Sequence, residues 1–228
     1  MARKEIDFGD EDAVLEEMSQ VLDIDPDELK IREDRSGFSV PAYEITIRGG
    51  GHKEWRVVEN DDAERELALE IVKQDLEQEP EIFNKDFIER HINTDRLRRD
   101  LESGVLDSRI DDLGYRAERD PGDFWRDWEN EGFERPEEDE DGNLPEPTRG
   151  QIEELAQKQA EEELRDPMRY LEDIYGDEAA AKAIEIAGID VDAAAEDAVD
   201  TDGAGHFLSS YDGETHETDS GLVYWRTN

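Results

Sequence analysis

The chain of 228 residues contains no cysteine and no long hydrophobic run. Without cysteine it can form neither a disulfide nor a cysteine-ligated metal site, and it has no thiolate nucleophile. No segment approaches the ~18 apolar residues of a membrane-spanning helix. No apolar stretch follows Met1–Glu5, as it would in a secretory signal peptide. We therefore expect a cytoplasmic protein without a membrane anchor.

Positive charge is scarce: 26 Lys and Arg stand against 67 Asp and Glu, for a formal net charge of −41. Such an excess is typical of disordered chains, of DNA mimics and of proteins adapted to concentrated salt. Hydrophobic residues still make up 35% of the chain and fall in periodic groups, which argues against global disorder. Acids exceed bases in each of the segments 1–133, 134–148 and 149–228, whereas a DNA mimic would need the charge on one surface.

Adaptation to salt is the interpretation that remains, and the bases support it because arginine outnumbers lysine among them. At molar salt the Debye length falls to about 3 Å, so repulsion between carboxylates is screened, and surface charge keeps the chain soluble. The composition is typical of salt-accumulating archaea. We expect solvent salt cations around the protein and no direct binding to nucleic acid, because the acids would repel phosphate.

The clearest boundary is the segment 134–148, in which three prolines, a glycine and many acids surround a single leucine. Such a segment cannot bury an apolar face and indicates an exposed acidic linker. Thr148 with Gln151 three residues later predicts a capping box at the start of a helix. The sequence thus predicts an α+β domain over 1–133, the linker, and a second region over 149–228.

In the first region, alternating apolar residues over 42–48 and 54–59 predict a β-hairpin, with Gly49–Gly51 as its turn. Apolar stripes predict helices around it, including short ones that begin near Asn84 and Thr94.

In the second region, several helices precede a predicted three-stranded antiparallel meander over 206–211, 214–218 and 222–227. The predicted class is therefore α+β, mostly helical, with an N-terminal β-hairpin and a C-terminal antiparallel meander.

Three aromatic residues just before the linker, Phe124, Trp125 and Trp128, have the spacing of one helical face. They either close the core of the first domain or form an amphipathic face that docks into a groove on a partner.

The C-terminal segment carries most of the residues that could perform chemistry. An EF-hand that begins at Asp200 fails, because Tyr211 would occupy the twelfth position, where a glutamate is required. A zinc site at His206 and His216 lacks any usual ligand spacing. His206 could form a general acid–base pair with Asp202 or Asp212, although both aspartates precede glycines and are ordinary turn formers. We expect no metal and no cofactor.

The same segment carries the pattern Asp202-Gly203, Gly205 to Leu208, Tyr211 to Gly213, and then Tyr224, Arg226 and Asn228. This pattern resembles the C-terminal end of uncharacterised proteins that tailed phages and related archaeal viruses encode. The segment from Trp55 to Phe87 resembles the middle of such proteins more loosely. The resemblance implies a mobile-element origin and no mechanism.

Our leading hypothesis is a non-enzymatic accessory protein of a haloarchaeal virus or provirus that binds a host or viral protein. The candidate binding residues are Asp202, His206, Tyr211, Asp212, Arg226, Phe124, Trp125 and Trp128. One alternative is a small enzyme that uses His206, Asp202 and Asp212, with Arg226 in the same pocket. A second alternative is a DNA mimic that inhibits a host nuclease.

Overall fold

The computed structural model describes residues 6–48 and 53–228. The helices are α1 (Glu11–Leu22), α2 (Asp61–Gln78), α3 (Lys85–His91), α4 (Thr94–Arg119), α5 (Pro121–Asn130), α6 (Arg149–Glu163), α7 (Pro167–Tyr175), α8 (Ala179–Ala187), α9 (Val191–Asp202) and α10 (Ala204–Leu208). The strands are β1 (Leu29–Glu33), β2 (Tyr43–Ile47), β3 (Glu54–Val58), β4 (His216–Glu217) and β5 (Val223–Arg226). The predicted α+β class is confirmed. Within the described residues, no helix is both long and apolar enough to cross a bilayer.

The chain divides into two compact units. The first unit consists of Met1–Glu79 and Asp190–Asn228, and the second of Pro80–Ile189. The predicted boundaries at 134 and 148 differ from this division, because both ends of the chain belong to the first unit and the predicted linker lies within the second.

The first unit contains a five-stranded antiparallel sheet in the order β1-β2-β3-β5-β4. The predicted hairpin is confirmed as β2 and β3, with Ile45 opposite Trp55 and Tyr43 opposite Val57. Its predicted turn at Gly49–Gly51 lies outside the described residues. The apolar positions of one face pack against Val14 and Met18 of α1, and each fully buried side chain of this size stabilises the fold by roughly 1.5–3 kcal/mol.

Two strand predictions need correction. Strand β1 was not predicted: a single 3₁₀ turn, Pro26–Glu28, leads directly into it.

The first strand predicted for the meander, 206–211, is α10 followed by a turn. A five-residue helix is too short to show the 3.6-residue period, so its residues mimic the alternation of a strand. The other two predicted strands form as the shorter β4 and β5. They extend the N-terminal sheet through the pairing of β5 with β3 instead of building a separate meander.

The regular secondary structure of the second unit is helical apart from an isolated bridge between Ile92 and Ile189. The helix predicted near Thr94 is α4, which continues for 26 residues to Arg119 and packs along α6. The Arg98 Nε donates to the Leu164 carbonyl at 2.8 Å, so α4 supplies a donor to the carboxyl end of α6. The capping box of Thr148 and Gln151 is confirmed at the start of α6.

The predicted linker is attached to the core of this second unit. Leu144 packs against the aromatic residues of α5. The Trp125 indole donates to the Pro145 carbonyl at 2.7 Å, and the Trp128 indole to the Glu134 carbonyl at 3.1 Å. Most of the segment is exposed, as its composition predicted, and two indole N–H groups that need acceptors hold its backbone in place.

Candidate interaction site at the C-terminal loop

We name residues 209–215, between α10 and β4, the C-terminal loop. Its backbone at Gly213 packs closely against Gly205 of α10. Gly203 adopts φ +83°, a conformation that favours glycine, and separates α9 from α10. A Cβ on Gly205 would lie 2.6 Å from the Gly213 carbonyl oxygen. Only glycine therefore allows α10 and the loop to approach this closely, which accounts physically for Gly203 and Gly205 in the sequence pattern.

Ser209 joins the loop to strand β5. Its buried hydroxyl lies 2.8 Å from the Asp212 Oδ1 and 2.9 Å from the Arg226 carbonyl oxygen, and shares its single proton between these two acceptors. Next to it, the Ser210 hydroxyl donates to the Thr227 carbonyl. Two consecutive serines thus tie the loop to the end of β5.

The Asp212 carboxylate is engaged within the loop. Besides the Ser209 hydroxyl, it accepts the Glu214 backbone N–H at 3.1 Å, an interaction that shapes an Asx turn. The Ser209 hydrogen bond is the main reason that the pKa of Asp212 lies below its ordinary value, with further contributions from the Glu214 N–H and the charge of His216. The Asp212 Oδ1 is therefore held by hydrogen bonds within the loop.

The exposed part of the loop is Tyr211, with Arg226 against its ring. The Tyr211 side chain is 57% exposed, and the Arg226 Cζ lies 3.7 Å from the centre of its ring. This is close contact for a cation–π pair, which stabilises by about 0.5–1 kcal/mol at an exposed site. The Arg226 Nε is buried and has no hydrogen-bond partner.

The structure brings together three of the five predicted tail residues: Tyr211, Asp212 and Arg226. His206 is exposed on α10, where its ring packs edge-on against Phe207 at 5.0 Å, and Asp202 is the last residue of α9. Within the described part of the chain, no hydrogen bond or ion pair joins His206 to Asp202 or Asp212, and no three His, Cys, Asp or Glu residues form a metal-binding group. The predicted acid–base pair is not assembled.

The prediction that Phe124, Trp125 and Trp128 offer a face to a partner is wrong. All three are buried, with Trp125 1% exposed, and they contact Leu113 of α4 and Leu155 of α6. The other prediction for these residues, that they close a core, is confirmed. That core belongs to the second unit, because α4 and α6 supply the apolar surface that covers the face of α5.

Sequence reasoning missed the central role of Ser209. The available signal was its position three residues before Asp212-Gly213, where a serine hydroxyl can reach the turn carboxylate. It also missed the ring contact of His216 with Tyr224, at 5.3 Å between centroids. That contact follows from the pairing of β4 with β5, in which the two residues lie opposite each other.

A second cluster of charges, not predicted, crosses the sheet on the face opposite α1. Glu44 lies between Arg32 and Arg56 on neighbouring strands, and the Arg32 Nε donates to its carboxylate. This hydrogen bond is the main reason that the pKa of Glu44 lies below its ordinary value. Glu54 shares a hydrogen bond with Glu44, and that interaction, followed by burial, raises the pKa of Glu54. The two carboxyl groups therefore hold a proton between them more readily than isolated glutamates do.

Comparison of the chain with protein-family models, with curated proteins and with solved structures gives no match.

Proposed function

We propose that this chain is a non-enzymatic accessory protein that acts by binding another protein, with the C-terminal loop as its contact surface. The observation that carries the proposal is the exposed Tyr211 ring with the Arg226 guanidinium stacked on it. Tyrosine and arginine are enriched among the residues that dominate binding energy at protein interfaces.

The construction of the loop supports this role. Ser209 ties it to β5, and the close approach of Gly205 to the Gly213 carbonyl leaves no space between α10 and the loop. A contact surface that is already ordered loses less conformational entropy when a partner binds. The loop therefore presents Tyr211 in a defined position before any partner arrives.

The resemblance of the segment 202–228 to proteins of tailed phages and archaeal viruses, together with the acidic composition, supports a haloarchaeal virus or provirus as the source. The partner would then be a host or viral protein. In molar salt, attraction over distances beyond about 3 Å is screened, so binding must depend on direct contact at the loop. A rigid aromatic side chain with a stacked cation suits that condition.

Site-specific photo-crosslinking in the full-length chain tests the proposal. We would place a photoreactive residue at the exposed Glu214 of the loop and, as a matched control, at the exposed Glu118 of α4. In host lysate at molar salt, we expect a discrete adduct from position 214 that is absent from position 118. The Tyr211→Ala variant should lose this adduct, whereas Tyr115→Ala, which removes an equally exposed tyrosine (64%), should keep it.

Equal adducts from positions 214 and 118, or an adduct that survives Tyr211→Ala unchanged, would contradict a contact surface at the loop. So would the absence of any adduct in lysates of virus-infected and uninfected cells.

A further inference from the structure

We propose that the C-terminal loop recognises a carboxylate group of its protein partner and that Arg226 receives this group. The inference rests on the proposed function, since it specifies the chemistry of the partner at the same surface.

Arg226 differs from the other half-buried bases of the first unit in how its charge is compensated. Arg65 pairs with Asp200 at 2.7 Å, and Lys73 pairs with Asp192 at 2.5 Å. Arg56 lies 3.5 Å from the carboxylate of Asp34.

Among the described residues of this unit, Arg226 is the half-buried base without an ion pair, and its Nε lacks any hydrogen-bond partner. In a chain with 67 acids, a partly desolvated guanidinium without a carboxylate needs a physical explanation.

The loop has two acids of its own, Asp212 and Glu214, and among the described residues neither forms an ion pair with Arg226. The Asp212 Oδ1 takes both the Ser209 hydroxyl and the Glu214 N–H. Ser209 holds the backbone carbonyl of Arg226, and not its guanidinium, in the same network. These hydrogen bonds fix the Asp212 Oδ1 within the loop, and no ion pair joins the Asp212 carboxylate to the Arg226 guanidinium.

A carboxylate is the group that fits. The guanidinium is a planar fork whose donors match a carboxylate bidentately, and its Cζ lies over the Tyr211 ring at 3.7 Å from the ring centre. A donor that is already partly desolvated gains more from an incoming anion than a fully hydrated one.

The surroundings argue against a polyanion. Arg226 is the single lysine or arginine in the segment 190–228, and Asp212, Glu214 and Asp219 are exposed around the loop. A nucleic acid needs several bases to neutralise consecutive phosphates, whereas one arginine is enough for one carboxylate. The geometry thus favours an acidic side chain or a terminal carboxylate of a protein over a nucleic acid backbone.

Titration with propionate, which has the chemistry of a glutamate side chain, tests the recognition directly. Sodium propionate would replace sodium chloride at constant ionic strength in the full-length, ¹⁵N-labelled protein, and the arginine Nε–H resonances would be followed. We expect a saturable shift of the Arg226 resonance and none for Arg65, which already has a carboxylate. The Tyr211→Ala variant should weaken the apparent affinity. A response of Arg226 that stays linear and equals that of Arg65 would overturn the inference.

The crosslinking assay from position 214 gives a second, independent readout. A charge-assisted hydrogen bond contributes about 1.5–3 kcal/mol, so Arg226→Gln should reduce the adduct by roughly ten- to hundredfold. Arg226→Lys, which keeps the charge but loses the fork, should fall between Gln and the native residue. Amidation of the carboxyl groups in the lysate before mixing should abolish the adduct, whereas acetylation of its lysines should not.

The outcomes separate the two proposals. An adduct that needs Tyr211 but is indifferent to Arg226→Gln and to amidation would overturn the carboxylate inference and leave the proposed function in place. The absence of any adduct would overturn the proposed function and the partner with it, and the propionate titration would then decide only whether Arg226 receives a carboxylate.

Discussion

The aromatic side chains of α5 lie in the core of the second unit, whereas Tyr211 in the C-terminal loop of the first unit is exposed with an arginine on its ring. The difference follows from what surrounds each group. Three aromatic residues on one face of α5 meet the apolar faces of α4 and α6, so burial gains the full hydrophobic free energy. Tyr211 stands alone in a turn that polar hydrogen bonds hold in place. It has no apolar surface of this kind to pack against.

The largest expected effect concerns the buried aromatic residues of α5. Trp125→Ala should destabilise the second unit by about 3–5 kcal/mol, because it leaves a cavity in the core and removes the donor to the Pro145 carbonyl. Amide hydrogen exchange in α4, α5 and α6 would measure the loss. Trp125→Phe keeps an aromatic ring and should cost less. Protection at α5 that stays unchanged in Trp125→Ala would mean that the core does not depend on this residue.

Gly205→Ala tests the close packing under the exposed loop. The new Cβ would meet the Gly213 carbonyl at 2.6 Å, and relief of such overpacking costs about 1–3 kcal/mol. Helix propensity alone predicts the opposite sign, since alanine is favoured over glycine by about 1 kcal/mol. Gly104→Ala in α4, where a Cβ meets nothing within 4 Å, is the matched control and should stabilise. Urea denaturation of both variants measures the change in the free energy of unfolding, which should be opposite in sign for the two. A Gly205→Ala protein as stable as the native chain would contradict close packing at this position.

Ser209→Ala tests whether the hydrogen bonds of Ser209 keep the C-terminal loop ordered while Tyr211 is exposed. Loss of the buried hydroxyl leaves the Asp212 carboxylate and the Arg226 carbonyl without their shared donor, at a cost of about 1–2 kcal/mol. Hydrogen exchange over 209–215 should accelerate. Ser210→Ala removes a more exposed hydrogen bond and should have the smaller effect. Equal exchange in the two variants would show that Ser209 does not hold the loop in place.

The smallest effect concerns Glu44 and Glu54 on the sheet. Both side chains are half-buried, so they are more exposed than the core of α5 and less exposed than Tyr211. The raised pKa of Glu54 means that its contribution to stability is present below its unfolded pKa, about 4.3, and is lost as pH rises through the folded pKa. Glu54→Gln removes that loss and should stabilise the protein at neutral pH by a few tenths to about 1 kcal/mol.

Glu44→Gln is the matched control with the opposite sign. The lowered pKa of Glu44 means that its stabilisation is present above the unfolded pKa and is lost as pH falls through the folded pKa. Glu44→Gln should therefore destabilise at neutral pH. Urea denaturation from pH 3 to 8 compares the three proteins, and parallel stability profiles would show that neither glutamate has a pKa that differs between the folded and unfolded states.

Several features of the site could be predicted from the sequence and others could not. Asp212-Gly213 predicts a turn, and Tyr211 and Arg226 belong to the pattern that marked the segment. The helical conformation of 204–208 was not predictable from alternation, because five residues fit both periods. The roles of Ser209 and Gly205 depend on neighbours that only the folded chain provides, namely the Arg226 carbonyl and the Gly213 carbonyl.

Sequence by itself determined the features of this protein that depend on neighbours along the chain or on the sum of its charges. The acidic composition, the β2–β3 hairpin and the capping box of Thr148 and Gln151 are of this kind, since each follows from local spacing or from simple counting. Tertiary structure decided the pairing of β5 with β3, whose partners Trp55 and Arg226 are far apart in the chain, and also which aromatic residues are buried. Contacts between distant segments depend on which surfaces of the whole chain can be covered together, and no local pattern records that competition.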